Sequence, residues 1–265
     1  MPPVLWLPIL TKAVATALVV VFASALAETM GPFWGALVAS LPVSAGPVYV
    51  FLAMQHDRDF VAACALNSFA ANAATGAFLI VYAMFAARFL LRWSLGAAVA
   101  SWFAASWFIR QIAWTPGTAV LLNLTVFGMG FWLLRDVQEK APGVHNVAIR
   151  LWFDLPLRAV AVALFVVGVV VASSVLGPAG TGIAVVFPVS LTSLIVILRP
   201  RIGGAASALL AATALRAMSG FGFALLVLHL VISPWGPVPA LLVALLVSML
   251  WSGGLLVLRG GSRIG

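Results

Sequence analysis

The feature that most limits what this chain can fold into is the spacing of its charges. Apolar runs of 17–27 residues follow one another along the sequence, and most charged residues fall in the short stretches between them or near the ends of the runs. The runs lie near 9–27, 32–53, 60–86, 94–110, 116–134, 157–175, 180–198, 204–230 and 237–257. A helix needs about 20 predominantly apolar residues to cross the hydrocarbon of a bilayer, so each run has the length of one crossing. Apolar residues make up 64% of the chain and charged residues 8%, against about half and a quarter in soluble domains. The chain therefore reads as an all-α polytopic integral membrane protein of nine spans, with the lipid bilayer as its first partner. No length remains for a separate catalytic module.

The charged residues that are present exclude several functions. Six acids against fourteen Lys and Arg give a net charge of +8. In a chain this apolar, that excess belongs to orientation in the membrane rather than to nucleic acid. The single cysteine, Cys64, excludes an intramolecular disulfide and any cysteine cluster. His56, His145 and His229 are too scattered for a metal site. Paired acids, clustered histidines and a serine beside a base are all missing from the spans, so neither an enzyme nor a cofactor or metal is expected.

An internal repeat organises the spans. At an offset of 146 residues, Leu5-Trp6 aligns with Leu151-Trp152, Ala13-Val14-Ala15 with Ala159-Val160-Ala161, Gly31-Pro32 with Gly177-Pro178, Pro42-Val43-Ser44 with Pro188-Val189-Ser190, and Gly76 with Gly222. About a quarter of positions between Leu5 and Tyr82 are identical in this register without a gap. The first segment imitates a cleavable signal peptide, with Lys12 before an apolar run ending in Ala25-Leu26-Ala27. Its match to the segment at 157–175 makes it a structural helix instead. The halves are a first four-span repeat at 1–112, a connecting span and loop at 113–150, and a second four-span repeat at 151–265. Because five spans precede the second repeat, it enters from the opposite face, which makes the two repeats inverted.

The basic residues orient this arrangement. Lys12, Arg58 and Arg110 fall on the N-terminal side, whereas Arg88, Arg92, Arg135, Lys140, Arg150, Arg158, Arg199, Arg201, Arg259 and Arg263 fall on the other. The more basic side faces the cytoplasm. The N-terminus is thus expected outside and the C-terminus in the cytoplasm of a bacterial inner membrane.

The run Gly35-Ala-Leu-Val-Ala-Ser-Leu-Pro-Val-Ser44, the polar turn Gln55-His-Asp-Arg-Asp59 and the stretch Trp102-Phe-Ala-Ala-Ser-Trp107 resemble the small four-span bacterial membrane proteins of the GlpM type. The resemblance covers most of Leu5 to Ile109 and, more weakly, its repeat from Leu151. The second half departs from it where Ile202-Gly203-Gly204-Ala205 replaces the charged His56-Asp57-Arg58-Asp59. The resemblance implies an origin as a fused pair of four-span units, and it implies no activity.

Three features could carry chemistry. Pro42 with Ser44 and Pro188 with Ser190 interrupt the second and seventh spans at matching places. Proline removes a donor and crowds the preceding turn, so carbonyls about four residues earlier lose their partners. Matching interruptions in inverted repeats point to a substrate site between the repeats. Arg216 stands well inside the eighth span without an acid at comparable depth, and an intramembrane cation favours an anionic solute. Asn67 and Asn72 lie in a run of small residues in the third span, with Thr213 as the repeat mate of Asn67. Such side chains hydrogen-bond across close helix contacts or line a polar path.

These residues together point to a transporter or channel-like permease for a small, anion-leaning solute. The alternative is a non-transporting scaffold that binds lipid or partner helices through its small-residue faces, and a homo-oligomer is compatible with either. The orientation is open to a direct check. A reporter active only in the cytoplasm should be active when fused at Gly265 and silent when fused after Arg58; the reverse pattern would overturn the assignment.

Overall fold

The computed structural model describes residues 45–139 and 154–261, together with Thr11, Val14 and Ala15. Among these residues all regular structure is helical. The expected span at 9–27 and the stretch holding Pro42 and Ser44 lie outside the described residues, apart from those three positions. The helices are α1 (Ala45–Gln55), α2 (Arg58–Ala86), α3 (Leu91–Arg110), α4 (Pro116–Leu133), the short α5 (Arg135–Glu139), α6 (Asp154–Val185), α7 (Val189–Trp235) and α8 (Pro237–Gly261). Five are long and apolar enough to cross a membrane: α2, α4, α6 from Pro156, α7, and α8 up to Leu255. Helix α3 has the length, 20 residues, and carries Arg92 in its first turn and Arg110 at its end.

Local chemistry sets the ends of these helices. Asp57 caps α2 by accepting from the Phe60 N–H at 2.7 Å, and Thr115 and Thr118 form a reciprocal cap at α4, with Pro116 in its first turn. The charged turn 55–59 is therefore a helix start. Two glycines in the left-handed region divide the longer helices. Gly177 (φ 66°) bends α6 into limbs 154–176 and 178–185, and Gly203 (φ 78°) bends α7 into limbs 189–202 and 204–235. A side chain is strained at such φ values, which is why glycine occupies both bends.

Helix α2 is the central post. In its apolar stretch 78% of residues are buried within the protein, against 22% for α4 and 17% for α8. It packs against α7, α3, α6 and α4. Its crossing with the second limb of α7 is antiparallel: Ala62 O meets His229 Nδ1 at 2.8 Å, Asn72 Nδ2 meets Met218 O at 3.1 Å, and Tyr82 Oη meets Ser207 Oγ at 2.7 Å. Asn72 and Met218 are 146 residues apart. Helix starts recur at the same separation, at 58 and 204 and at 91 and 237.

Glycines allow the close contacts. A Cβ on Gly222 would stand 2.7 Å from Asn72 Nδ2, and one on Gly182 would collide with Cys64 O and come within 2.9 Å of Asn67 Cβ. Small residues serve in this way wherever apolar helices must approach in lipid. Gly182→Val or Gly222→Val should therefore lower stability by about 1–3 kcal/mol through overpacking. Gly46→Ala, with nothing within 4 Å of the added carbon, should be neutral or stabilising. Thermal unfolding in detergent distinguishes these outcomes.

Candidate functional site

The expected seventh span is not a continuous helix. The limb 178–185 of α6 stops, Val186, Phe187 and Pro188 run non-helically, and α7 begins at Val189 with Pro188 (φ −79°, ψ 54°) as its cap residue. The segment 178–202 runs alongside α2 in the same direction. Gly182 O accepts from Ser68 Oγ at 2.6 Å, Val186 O accepts from Thr75 Oγ1 at 2.8 Å, and Arg199 donates to Tyr82 Oη at 3.4 Å and to Phe89 O at 2.6 Å. The break thus lies level with Thr75, near the middle of α2.

The sequence leads one to expect unsatisfied carbonyls at this break, and the structure corrects that expectation. Ala184 O takes the Phe187 N–H, Phe187 O the Val189 N–H, and Pro188 O the Thr192 N–H, at 2.7–3.0 Å. Gly182 O and Val186 O are supplied by the hydroxyls of α2, and Tyr49 Oη in turn donates to Ser68 Oγ at 2.6 Å. Buried carbonyls in an apolar medium need partners, and Ser68 and Thr75, both buried, supply them. Several side-chain polar atoms are also left unpaired. Ser190 Oγ and Thr192 Oγ1 in the first turns of α7, and Trp102 Nε1 and Ser106 Oγ on α3, are buried without a hydrogen-bond partner. The Trp102 ring lies edge-on to Phe187, with centroids 4.9 Å apart.

A second polar cluster joins α2, α4 and α7. Asn72 Nδ2 donates to Asn123 Oδ1 at 3.2 Å and to Met218 O at 3.1 Å. Asn123 Nδ2 donates to Phe69 O at 2.7 Å and Ala119 O at 3.0 Å. Every one of these partners is an acceptor, which orients both amides and leaves Asn72 Oδ1 buried and unpaired.

Of the residues picked out from sequence, Pro188 and Ser190 stand at the break, and Asn72 joins the central cluster. Asn67 lies against Gly182, but its amide turns back to Ala63 O at 2.9 Å. Thr213 and Arg216 are half-buried on the second limb of α7. The Arg216 carbonyl accepts from Ser219 Oγ at 2.7 Å and from Trp251 Nε1 of α8 at 3.1 Å. Sequence reasoning missed Ser68, Thr75, Asn123 and Trp102. Ser68, Asn72 and Thr75 recur at helical spacing on one face of α2, and that recurrence is the signal that could have found the first two.

The two ends of this region are closed by different groups. His56 Nε2 and Ser173 Oγ are 2.8 Å apart; because Ser173 donates to Val170 O at 2.7 Å, His56 is the donor. At the other end Arg199 holds the turn after α2 through Phe89 O.

No family model matches the chain, and neither a curated protein nor a solved structure matches it.

Thr75→Val keeps shape and removes the hydroxyl that satisfies Val186 O. It should destabilise the protein by about 1 kcal/mol in a micelle, whereas Thr125→Val, whose hydroxyl bonds only to Leu121 O within its own exposed helix face, should cost less. Thermal unfolding of the two variants side by side checks this.

Proposed function

We propose that this protein is a membrane permease for a small solute, built as two inverted four-span repeats around one connecting span, nine spans in all. The observation that carries the reading is the interruption at Val186–Pro188. A crossing segment broken near the middle of α2 lies beside an antiparallel pair of helices whose residues are related by the 146-residue repeat. Discontinuous helices at the interface of inverted repeats are a recurrent way of building a solute site within a bilayer. The antiparallel α2 and α7, with Asn72 against its own repeat mate Met218, support the inverted arrangement. The proposed orientation, with the C-terminus in the cytoplasm of a bacterial inner membrane, would put the His56–Ser173 contact on the outer side and the Arg199–Phe89 contact on the inner side.

A second reading has one observation in its favour. An apolar groove of about 240 Å³ between α2, α3 and α4, lined by Ala73, Ala77, Ala105, Ile109, Leu122 and Val126, would suit a scaffold that binds lipid without transporting anything.

Thiol labelling separates the two. Cys64 is buried and is the chain's one cysteine, so a Cys64→Ala background leaves an introduced cysteine as the sole target. In that background a permease should let a small charged thiol reagent modify Ser190→Cys or Thr192→Cys and block solute flux in proteoliposomes. Leu121→Cys, on the exposed apolar face of α4, should stay unmodified. A folded protein with no labelling at the break and no flux of any solute would favour the scaffold.

A further inference from the structure

We propose that the break at Val186–Pro188 is a binding site for a small monovalent anion. This deepens the permease reading and rests on it. Hydrogen-bonding capacity decides what the break can hold. Polarity at a helix break comes in two kinds, carbonyl acceptors from the limb that ends and N–H donors from the limb that begins. Here most of the acceptors are taken. The carbonyls of Gly182, Ala184, Val186, Phe187 and Pro188 each take a hydrogen bond, two of them from Ser68 and Thr75 across on α2.

The donors are not spent. In the first turn of α7, Val189 N–H goes to Phe187 O and Thr192 N–H to Pro188 O, while the N–H groups of Ser190 and Leu191 have no acceptor among the described residues. Their limb, 189–202, is long enough to present the positive end of a helix dipole to the break. A second and independent group points the same way. Trp102 is 4% exposed, its indole N–H has no partner, and its ring abuts Phe187. An indole N–H can only donate. Ser106 follows one turn later on the same buried stripe of α3, also with an unpaired hydroxyl. Ser190 and Thr192 are two residues apart and so project from different sides of their helix; one of them can turn towards the Trp102 side and complete the set.

Unpaired donors on two helices beside a helix N-terminus suit an anion, which accepts from every direction and brings no donor that would need a carbonyl. A polyol or an amide would bring such donors to a break most of whose carbonyls already hold a hydrogen bond. The unspent acceptor Asn72 Oδ1 belongs instead to the cluster with Asn123 and Met218.

The test uses the full chain in proteoliposomes. Potassium-loaded vesicles with valinomycin report chloride and nitrate flux, and osmotic swelling reports urea and glycerol. Chloride or nitrate should pass and urea and glycerol should not. Losing one donor to an ionised group should lower anion flux about tenfold, both in Trp102→Phe and in one of Ser190→Ala or Thr192→Ala, with the variants still monodisperse. Anion flux unchanged in all three variants would overturn the site. Passage of urea or glycerol without passage of anions would overturn the anion and leave the permease. A folded protein that passes none of the four would overturn the permease reading and this inference with it.

Discussion

The structure depends on one constraint: an amide group within hydrocarbon must have its hydrogen bond supplied by the protein. A continuous helix meets that constraint internally, and a helix broken in mid-crossing does not. The fold meets it at Val186–Pro188 by setting the broken segment against α2, whose Ser68 and Thr75 hydroxyls reach Gly182 O and Val186 O. This explains why α2, a helix rich in alanine, is also the most buried of the crossing helices. A helix that must offer hydroxyls on one side and pack against α7 on another cannot give a face to lipid. Its small side chains bring the neighbouring backbones within reach.

The antiparallel crossing of α2 and α7 is the second consequence. Gly222 lets Asn72 approach until its amide reaches the Met218 carbonyl. An amide bonded to a carbonyl of the partner helix resists sliding, because a shift of one residue would leave both groups buried and unpaired. Asn123 extends this lock to α4, so three helices are tied at one point. The apolar contact of Gly130 with Ile80 and Leu215 closes the joint.

Much of this was legible in the sequence, for a definite reason. Spans end where charge, proline or a capping residue ends them, so the expected runs at 60–86, 116–134 and 237–257 correspond closely to α2, α4 and α8. The interruption at Pro188 was legible for the same local reason. The continuation of helix through Arg199-Pro200-Arg201 was not. Such a polar turn looks like a loop until Arg199 is seen to reach Phe89 O, 110 residues away. The fate of the break carbonyls was equally hidden. Proline announces that a carbonyl has lost its partner but not that Thr75, distant in sequence, replaces it. Asn67 and Asn72 look alike in their run, yet one bonds to its own helix and the other across the core. Trp102 was masked by the many tryptophans near span ends; Trp93, Trp132 and Trp235 are indeed exposed there.

Under the proposed repeat, the residues that serve the break have no equivalents in the other half. In the 146-residue register the mates of Ser68 and Thr75 are Ala214 and Phe221, neither of which has a hydroxyl. In that register the second limb of α7 has no hydroxyl where α2 has those that reach Gly182 O and Val186 O. Asn72 has Met218 as its mate, so the polar lock at the crossing is one-sided as well. Hydroxyls that reach across to a neighbouring segment in this way stand on one side of the register and not on the other. Gly76 and Gly222 are the same residue in this register but serve different contacts, Gly76 against Val126 and Phe127 of α4 and Gly222 against Asn72 and Phe69 at the crossing.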